Sequence, residues 1–413
     1  MLDIKFIKEN KDFVREATKN KNRDIDIDEI LELYEERKNL KIQIDEVNAE
    51  RKSAATERNI VLGTELKLKL EKLEKEYLEK DKLFVSLMLK VPNIHSVDTP
   101  VGPNESSNKV IRQWGEPTKF NFSPREHDEI GKILGIIDTE TASTVAGARF
   151  SYLKGDLVLM QFALIQFALS ILVKRGFTPV LPPVFIKPAV QNRMARFMTP
   201  EEHYMFPNDD LMLIGSAEHT LGPMFMDKTF KESELPIRLV GFSTAFRREA
   251  GSYGKDTKGI LRQHQFDKLE MESFTLPEES LDEQELLVSI QEEVLQALNL
   301  PYQVVLISSG DMGFPDYRQI DIETWMPGQN KYRETHSADH TGNFQSRRLN
   351  TRVKRADGSI EPVHMNDATV IALGRTLIAI IENYQEEDGS VRIPEVLQSY
   401  MGGVTKITPP SVA

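Results

Sequence analysis

The sequence predicts an α+β protein in two parts: a helical antiparallel coiled-coil arm, then a domain centred on an antiparallel sheet. Three observations carry this. Up to about residue 90 the apolar residues recur at steps of three, four or seven, and no proline interrupts them. Pro92 and a Gly- and Pro-containing stretch at 99–117 then close that pattern. Beyond it, helical stretches such as 161–175 alternate with short β-rich segments at 237–243, 266–274, 303–306 and 319–324.

A short amphipathic segment at 7–17 and a polar linker with Asn20, Asn22 and Asp24 precede the arm. From Asp28 to about Asn59 one stripe holds Ile30, Leu33, Leu40, Ile44 and Val47. A second stripe holds Leu66, Leu70, Leu73, Tyr77, Phe84 and Leu87, so two long helices with coiled-coil seams are expected. Residues 28–90 carry 13 Lys or Arg against 15 Asp or Glu, which gives a heavily charged surface without a continuous basic stripe. That pattern suits a dimerisation coil or spacer, and also a nucleic-acid arm in which Lys67, Lys69, Lys72, Lys75, Lys80 and Lys82 supply phosphate contacts. The domain boundary is set at 112, giving an arm domain of 1–112 and a second domain of 113–413.

The composition bounds the rest. At ~150 residues per domain, 413 residues make two or three domains, with 40% hydrophobic and 28% charged residues. No apolar stretch is read as reaching the ~18 residues of a membrane helix; the longest candidate, 157–173, contains Gln161, Gln166 and Ser170. No membrane partner is expected. The absence of cysteine removes disulfides, thiolate zinc sites and cysteine nucleophiles. The charged start, MLDIKFIKEN, leads to the expectation of a cytoplasmic protein. A formal charge of -12 opposes indiscriminate DNA coating but leaves room for a specific nucleic-acid partner. No GxxxxGK[ST] and no strand-linked GxGxxG is present.

Three blocks concentrate polar chemistry. In FRREAGSYGKDTKGILRQHQFDKLEMESF, 246–274, Arg247 and Glu249 are read as alternating on one strand. A loop with Gly251, Gly254 and Gly259 follows, and the return carries Arg262, Phe266 and Glu270. Two arginines can fork onto polyphosphate, and an aromatic ring can stack on a base. In 316–348, Asp321 and Glu323 share a strand face, and Glu323 and Glu334 are oxygen donors suited to a divalent metal or to nearby arginines. His336 and His340 are read as loop histidines, and no zinc is assigned. In 368–385, Thr369 precedes an apolar helical run with Arg375 near its start. Glu382 is too far along the helix to pair with Arg375, so a ligand phosphate is attractive there.

Together these blocks resemble a bacterial-type seryl-tRNA synthetase, a class II aminoacyl-tRNA synthetase, over essentially the full length. LPP at 181–183 is similar to the end of the class's first motif, which builds the dimer interface. FRREAG…GILRQHQFDKLE is similar to the second motif, and ALGRTLIAIIENYQ with RIPEVLQSYMGG to the third motif and family tail; YRETHS is also family-like. The resemblance implies the class II antiparallel catalytic sheet and attachment of L-serine to tRNA(Ser), with tRNA(Sec) a further substrate in this family. It implies ATP bound on that sheet, Mg²⁺, a homodimer, and an arm reading the long variable arm of tRNA held for the other subunit.

By resemblance, Arg247 contacts the α-phosphate, Glu249 accepts the adenine amino group and Phe266 stacks on adenine. Arg262 and Arg375 clamp the distal phosphates, so Arg247, Arg262 and Arg375 form the catalytic set. Glu334 with Ser337 is the Mg²⁺ site. Serine selection falls to Ser216, Glu218, Glu270 and Thr369, with Glu270 holding the ammonium and Thr369 reading the hydroxyl. Two departures stand out: Ser216 replaces the family's usual threonine, and Asp367 stands where asparagine is usual. The adjoining EHTLGPMF, 218–225, also differs from the commoner EVPLTNL.

Overall fold

In a computed structural model, residues 1–196, 200–250 and 258–410 are described. Gly251 and Gly254 of the glycine-rich loop lie outside them. The chain divides into two compact units, Met1–Ile94 and His95–Ala413. The boundary therefore differs from the 112 expected from composition. Residues 95–112 go with the second unit because Lys109–Trp114 is a strand of its sheet.

The first unit is helical. Its two long helices are α1, Ile27–Thr56, and α2, Ile60–Met88. Asp26 opens α1 by accepting the amides of Asp28 and Glu29, each at 3.0 Å. Asn59 opens α2 by accepting from Leu62 at 3.1 Å, so each start has an N-cap side chain. Leu40, Ile44, Val47 and Ala54 bury against Leu66, Leu70 and Leu73, the seam that the heptad spacing predicts. Lys80 pairs with Glu36 at 2.6 Å and Arg37 pairs with Asp81, so early α1 meets late α2 and the hairpin is antiparallel.

The second unit is built on an eight-stranded sheet. Its strands are β1 (Lys109–Trp114), β2 (Thr178–Val180), β3 (Ile237–Phe246), β4 (Gln265–Thr275), β5 (Tyr302–Leu306), β6 (Arg318–Met326), β7 (Lys331–Gly342) and β8 (His364–Ala372). Their order is β1-β5-β6-β7-β8-β4-β3-β2. Every pairing is antiparallel except the short edge strand β2, which runs parallel to β3.

One face of this sheet is covered by helices α3 (Asp156–Lys174), α4 (Ser280–Ala297) and α5 (Leu373–Asn383). Leu269 and Met271 of β4, Ile320 and Ile322 of β6 and Ala368 and Val370 of β8 join the helices' apolar residues in one core. By the two-residue period, Lys268, Glu270 and Glu272 are then left on the opposite face. The helix α3 corrects one sequence expectation. By length and composition alone it is apolar enough to cross a membrane. Here Leu157, Met160, Leu164, Ala168 and Leu172 face the core, while Gln161 donates to Asp267 at 2.8 Å.

The seam predicts a contrast on α2. Leu70→Ala, at a buried position, should destabilise the first unit by about 2–4 kcal/mol, whereas Leu68→Ala, at an exposed one, should change it by no more than ~0.5 kcal/mol. Denaturant midpoints for the two variants check this, and equal losses would contradict the seam.

Candidate active site

The open face of the sheet carries a cleft with a cavity volume of about 110 Å³. Arg247, Glu249, Arg262, Phe266, Glu334, Ser337, Thr369 and Arg375 all line it, so most of the residues singled out from the sequence meet in one place. Ser216, Glu218 and Glu270 are not among its lining residues; they adjoin it through Lys268, which does line it. The Lys268 Nζ donates to Ser216 Oγ at 3.0 Å and stands 2.6 Å from Glu270 Oε2.

Two bulges put the right residues on this face. Between Ile322 and Glu323 of β6 the register against β7 slips, so Ser337 lies opposite Asp321 and Glu334 opposite Glu323. Residues three apart on a regular strand face opposite ways; the extra residue, Thr335, lets Glu334 and Ser337 share the cleft. A second slip between β4 and β8, at Leu269/Glu270, does the same for Thr369 and Ala372. Neither bulge carries a sequence signal that separates it from ordinary strand.

The 246–274 block departs from its sequence reading in one respect. Arg247 and Glu249 do not alternate on a strand, because β3 ends at Phe246. Glu249 takes a left-handed backbone, φ 53°, a conformation that a regular strand excludes. The turn lets Glu249 Oε2 accept from Arg262 Nη1 at 2.6 Å. Arg247 donates through Nε to the Gly215 carbonyl at 3.0 Å, and its guanidinium lies 5.2 Å from the centre of the Phe266 ring.

Arg375 also has a protein partner that sequence spacing did not find. Its Nη1 donates to the Glu334 carbonyl and pairs with Glu334 Oε1, each at 3.0 Å. The cleft walls partly desolvate Glu334, which opposes its ionisation, but Arg375 and then Arg247 outweigh this and hold its pKa below the usual value. Glu323, opposite Glu334, accepts from Gln303 Nε2 at 2.5 Å. The histidines are strand residues rather than loop residues. His336 and His340 are buried on β7, and burial lowers their pKa to about 4 and about 3.

The pocket reached through Lys268 is strongly polarised. Burial works against ionisation of Glu218, yet Lys268 leads the groups that hold its pKa down to about 2. Burial instead raises Glu270 to about 8, with Lys268 opposing and Glu218 and Asp367 adding to the rise. Thr369 and Ser337 stand opposite, their hydroxyls 3.3 Å apart.

Sequence reasoning missed a clamp behind the cleft. The buried His127 shares a 3.1 Å hydrogen bond between Nδ1 and Glu382 Oε1, while its Nε2 accepts the amide of Ile260 at 3.2 Å. A Cβ on Gly259 would come within 2.0 Å of that Nε2, and Gly259 has φ +60°, so this position needs glycine. The clamp ties α5, which carries Arg375, to the turn that carries Arg262. Glu382, dismissed as a partner for Arg375, is thus committed to His127.

No group of three or more His, Asp or Glu among the described residues is arranged to hold a metal. Glu334 and Ser337 nonetheless form an all-oxygen pair, and the Glu334 side chain is 52% exposed at the cleft. That donor set suits Mg²⁺, which takes few protein ligands and completes its shell with phosphate oxygens and water.

Comparison with known proteins decides the family. Residues 1–95 match the family described as seryl-tRNA synthetase N-terminal domain, and residues 204–384 match the tRNA synthetase class II core domain (G, H, P, S and T). The chain is 40% identical over 421 residues to the serine–tRNA ligase of Thermodesulfovibrio yellowstonii, covering 97% of this chain and 99% of that one. This chain belongs to the seryl-tRNA synthetases. It is 39% identical to the serine–tRNA ligase of Wolbachia pipientis, covering 99% of this chain and all of that one. Its fold matches the crystal structure of seryl-tRNA synthetase from Pyrococcus horikoshii complexed with ATP, with a TM-score of 0.94 and 36% identity over the full length of both. It also matches the cytoplasmic serine–tRNA ligase from Naegleria fowleri in complex with AMP, with a TM-score of 0.91 and 32% identity, covering 100% of this chain and 99% of that one. The chain is thus an aminoacyl-tRNA synthetase with the class II α+β fold.

The clamp makes a direct prediction. His127→Ala removes the acceptor for the Ile260 amide, and a net hydrogen bond is worth about 0.5–1.5 kcal/mol. Hydrogen exchange at Ile260 should accelerate up to about tenfold, with core amides of β4 unchanged. Unchanged exchange at Ile260 would remove the clamp from the account.

Proposed function

We propose that this synthetase couples ATP to the attachment of L-serine to tRNA(Ser) in the cytoplasm, through a seryl-adenylate. The observation that carries the reading is the single cleft uniting Arg247, Arg262, Phe266, Glu334 and Arg375, with Glu218 and Glu270 adjoining it through Lys268.

In the first step the serine carboxylate attacks the α-phosphorus and pyrophosphate leaves. Arg247 meets the charge that develops on the α-phosphoryl oxygens, while Arg262 and Arg375 hold the β- and γ-phosphates. Phe266 supplies a ring face for adenine. Glu249 accepts from the adenine amino group, which requires its present bond to Arg262 to be exchanged for contacts with ATP. Glu334 and Ser337 would hold Mg²⁺, which when bound with ATP neutralises the leaving pyrophosphate. In the second step the terminal ribose hydroxyl of tRNA attacks the seryl carbonyl and AMP leaves. Positioning carries much of that step.

Glu270 and Glu218 receive the serine ammonium, while Thr369 and Ser216 present hydroxyls to the substrate. A site built to pair the serine hydroxyl disfavours alanine, which would leave those groups unpaired. The arm, with its lysines along α2, reads the long variable arm of the tRNA. A second copy of the chain covers the face of α3, where Leu159, Phe162 and Val173 are each more than half exposed beside the edge strand β2 and Leu181.

Charging purified tRNA with each of the twenty amino acids tests the assignment. Serine should be esterified to tRNA(Ser), and to tRNA(Sec) when supplied, with ATP and Mg²⁺ required. A clear preference for threonine or alanine would reject serine as the substrate.

A pH profile tests the role of Glu270. An ammonium needs the ionised carboxylate, and the raised pKa keeps Glu270 largely protonated below about 8. In ATP–pyrophosphate exchange, kcat/KM for serine should fall about tenfold per pH unit below about 8 and level off above it. Glu270→Gln should lower the value and flatten the limb. A limb that persists in Glu270→Gln would assign the titration to another group.

A further inference from the structure

The charged face does not end at the residues assigned to serine. Along β4 the side chains of Lys268, Glu270 and Glu272 alternate onto it. The register sets Thr369 opposite Glu270, Asp367 opposite Glu272, and Asp339 opposite Asp367. Asp367 is the residue that departs from the family's asparagine. It therefore belongs to an acidic row lying one step behind the row that faces serine.

Arg196 pairs with the two aspartates of that row and with Asp316. Its Nη2 lies 2.8 Å from Asp367 Oδ2, 3.0 Å from Asp339 Oδ2 and 3.1 Å from Asp316 Oδ1. Glu272 stands outside this arrangement. It is fully buried, and neither carboxylate oxygen has a hydrogen-bond partner. Burial first, then the negative charges of Asp367 and Glu218, raise its pKa well above the usual value, while Arg196 opposes.

Acids outnumber cations here: Glu218, Glu270, Glu272, Asp316, Asp339 and Asp367 stand against Lys268 and Arg196. Lys268 serves Glu270 and Glu218, Arg196 is held by the three aspartates, and a substrate α-ammonium would add one positive charge beside Glu270. A further positive group, or a proton, must offset Glu272. The acids around Glu272 are not among any group of three or more His, Asp or Glu arranged to hold a metal ion in the described residues. Residues two apart on a strand sit about 6.7 Å apart, a span that two ammonium groups on adjacent carbons fit better than the long side chains of lysine or arginine.

We propose that Glu272, backed by Asp367, forms a side-chain subsite for a second cationic group, so that the amino-acid site takes short diamino acids of the 2,3-diaminopropionate type as well as serine. This rests on the proposed serine site, because it uses Glu270 for the α-ammonium.

The test is ATP–pyrophosphate exchange on the full-length protein with L-serine, L-2,3-diaminopropionate, L-2,4-diaminobutyrate and L-lysine. Diaminopropionate should support exchange, lysine should not, and Glu272→Gln should lower the diaminopropionate-to-serine ratio of kcat/KM at least tenfold. Competition of diaminopropionate against serine in the unsubstituted protein gives the same answer if Glu272→Gln does not fold. Normal exchange with serine but neither exchange nor competition with diaminopropionate would overturn the subsite and leave the serine reading intact. An unchanged ratio in folded Glu272→Gln would also overturn it. Exchange with diaminopropionate but none with serine would support the subsite and reject the serine reading; no exchange with any amino acid would count against both.

Discussion

The site depends on the two-residue period of a single strand. Leu269 and Met271 of β4 go into the apolar layer beneath α3, α4 and α5, and each buried side chain of this size is worth roughly 1.5–3 kcal/mol. That burial leaves Lys268, Glu270 and Glu272 on the opposite face. A slip of one residue would drive three charged groups into the core, so the register is strongly held. The same logic runs through β8, where Ala368 and Val370 are core and Thr369 stands with the site. Two bulges then break the period at the cleft, where neighbours three residues apart come to share a face.

On that face, equal burial gives unequal acids. Glu218 and Glu270 are both fully enclosed, yet one is held at about 2 and the other at about 8. The difference lies in company: Lys268 and Arg196 outweigh burial at Glu218, whereas Glu218 itself and Asp367 add to it at Glu270. Environments that push two carboxylates apart in this way give them separate duties. Glu218 is held as an anion, while Glu270 is pushed toward its protonated form, which the proposed serine ammonium would reverse. The arginines of the cleft are likewise held by protein acids, Arg262 by Glu249 and Arg375 by Glu334. In the proposed ATP complex, phosphate oxygens would replace those acids without leaving a cation unpaired.

The arm meets a different demand. Its seam is narrow, and its ion pairs are at the surface, where each contributes no more than about 1 kcal/mol. Lys80 bonds Glu36, but such a pair is readily exchanged for a phosphate contact. The exposed apolar residues Ile60 and Val61 sit at the turn of the hairpin, away from the seam.

The sequence by itself determined the elements whose signal is local. Heptad spacing located both long helices, Leu40 to Val47 packing on Leu66 to Leu73, and motif order located Arg247, Arg262, Phe266, Glu334, Thr369 and Arg375 in one cleft. Tertiary structure alone decided who pairs with whom. Arg375 finds Glu334 across the sheet, Glu382 goes to His127, and Arg196 gathers Asp316, Asp339 and Asp367 from three separate segments. The left-handed turn at Glu249, the bulge at Thr335 and the β1 strand that moves the domain boundary to Ile94 belong to the same class. Each is set by long-range strand register and burial, which bring together residues as far apart as His127 and Glu382, 255 positions. Periodicity within a window of a dozen residues carries no record of such a meeting.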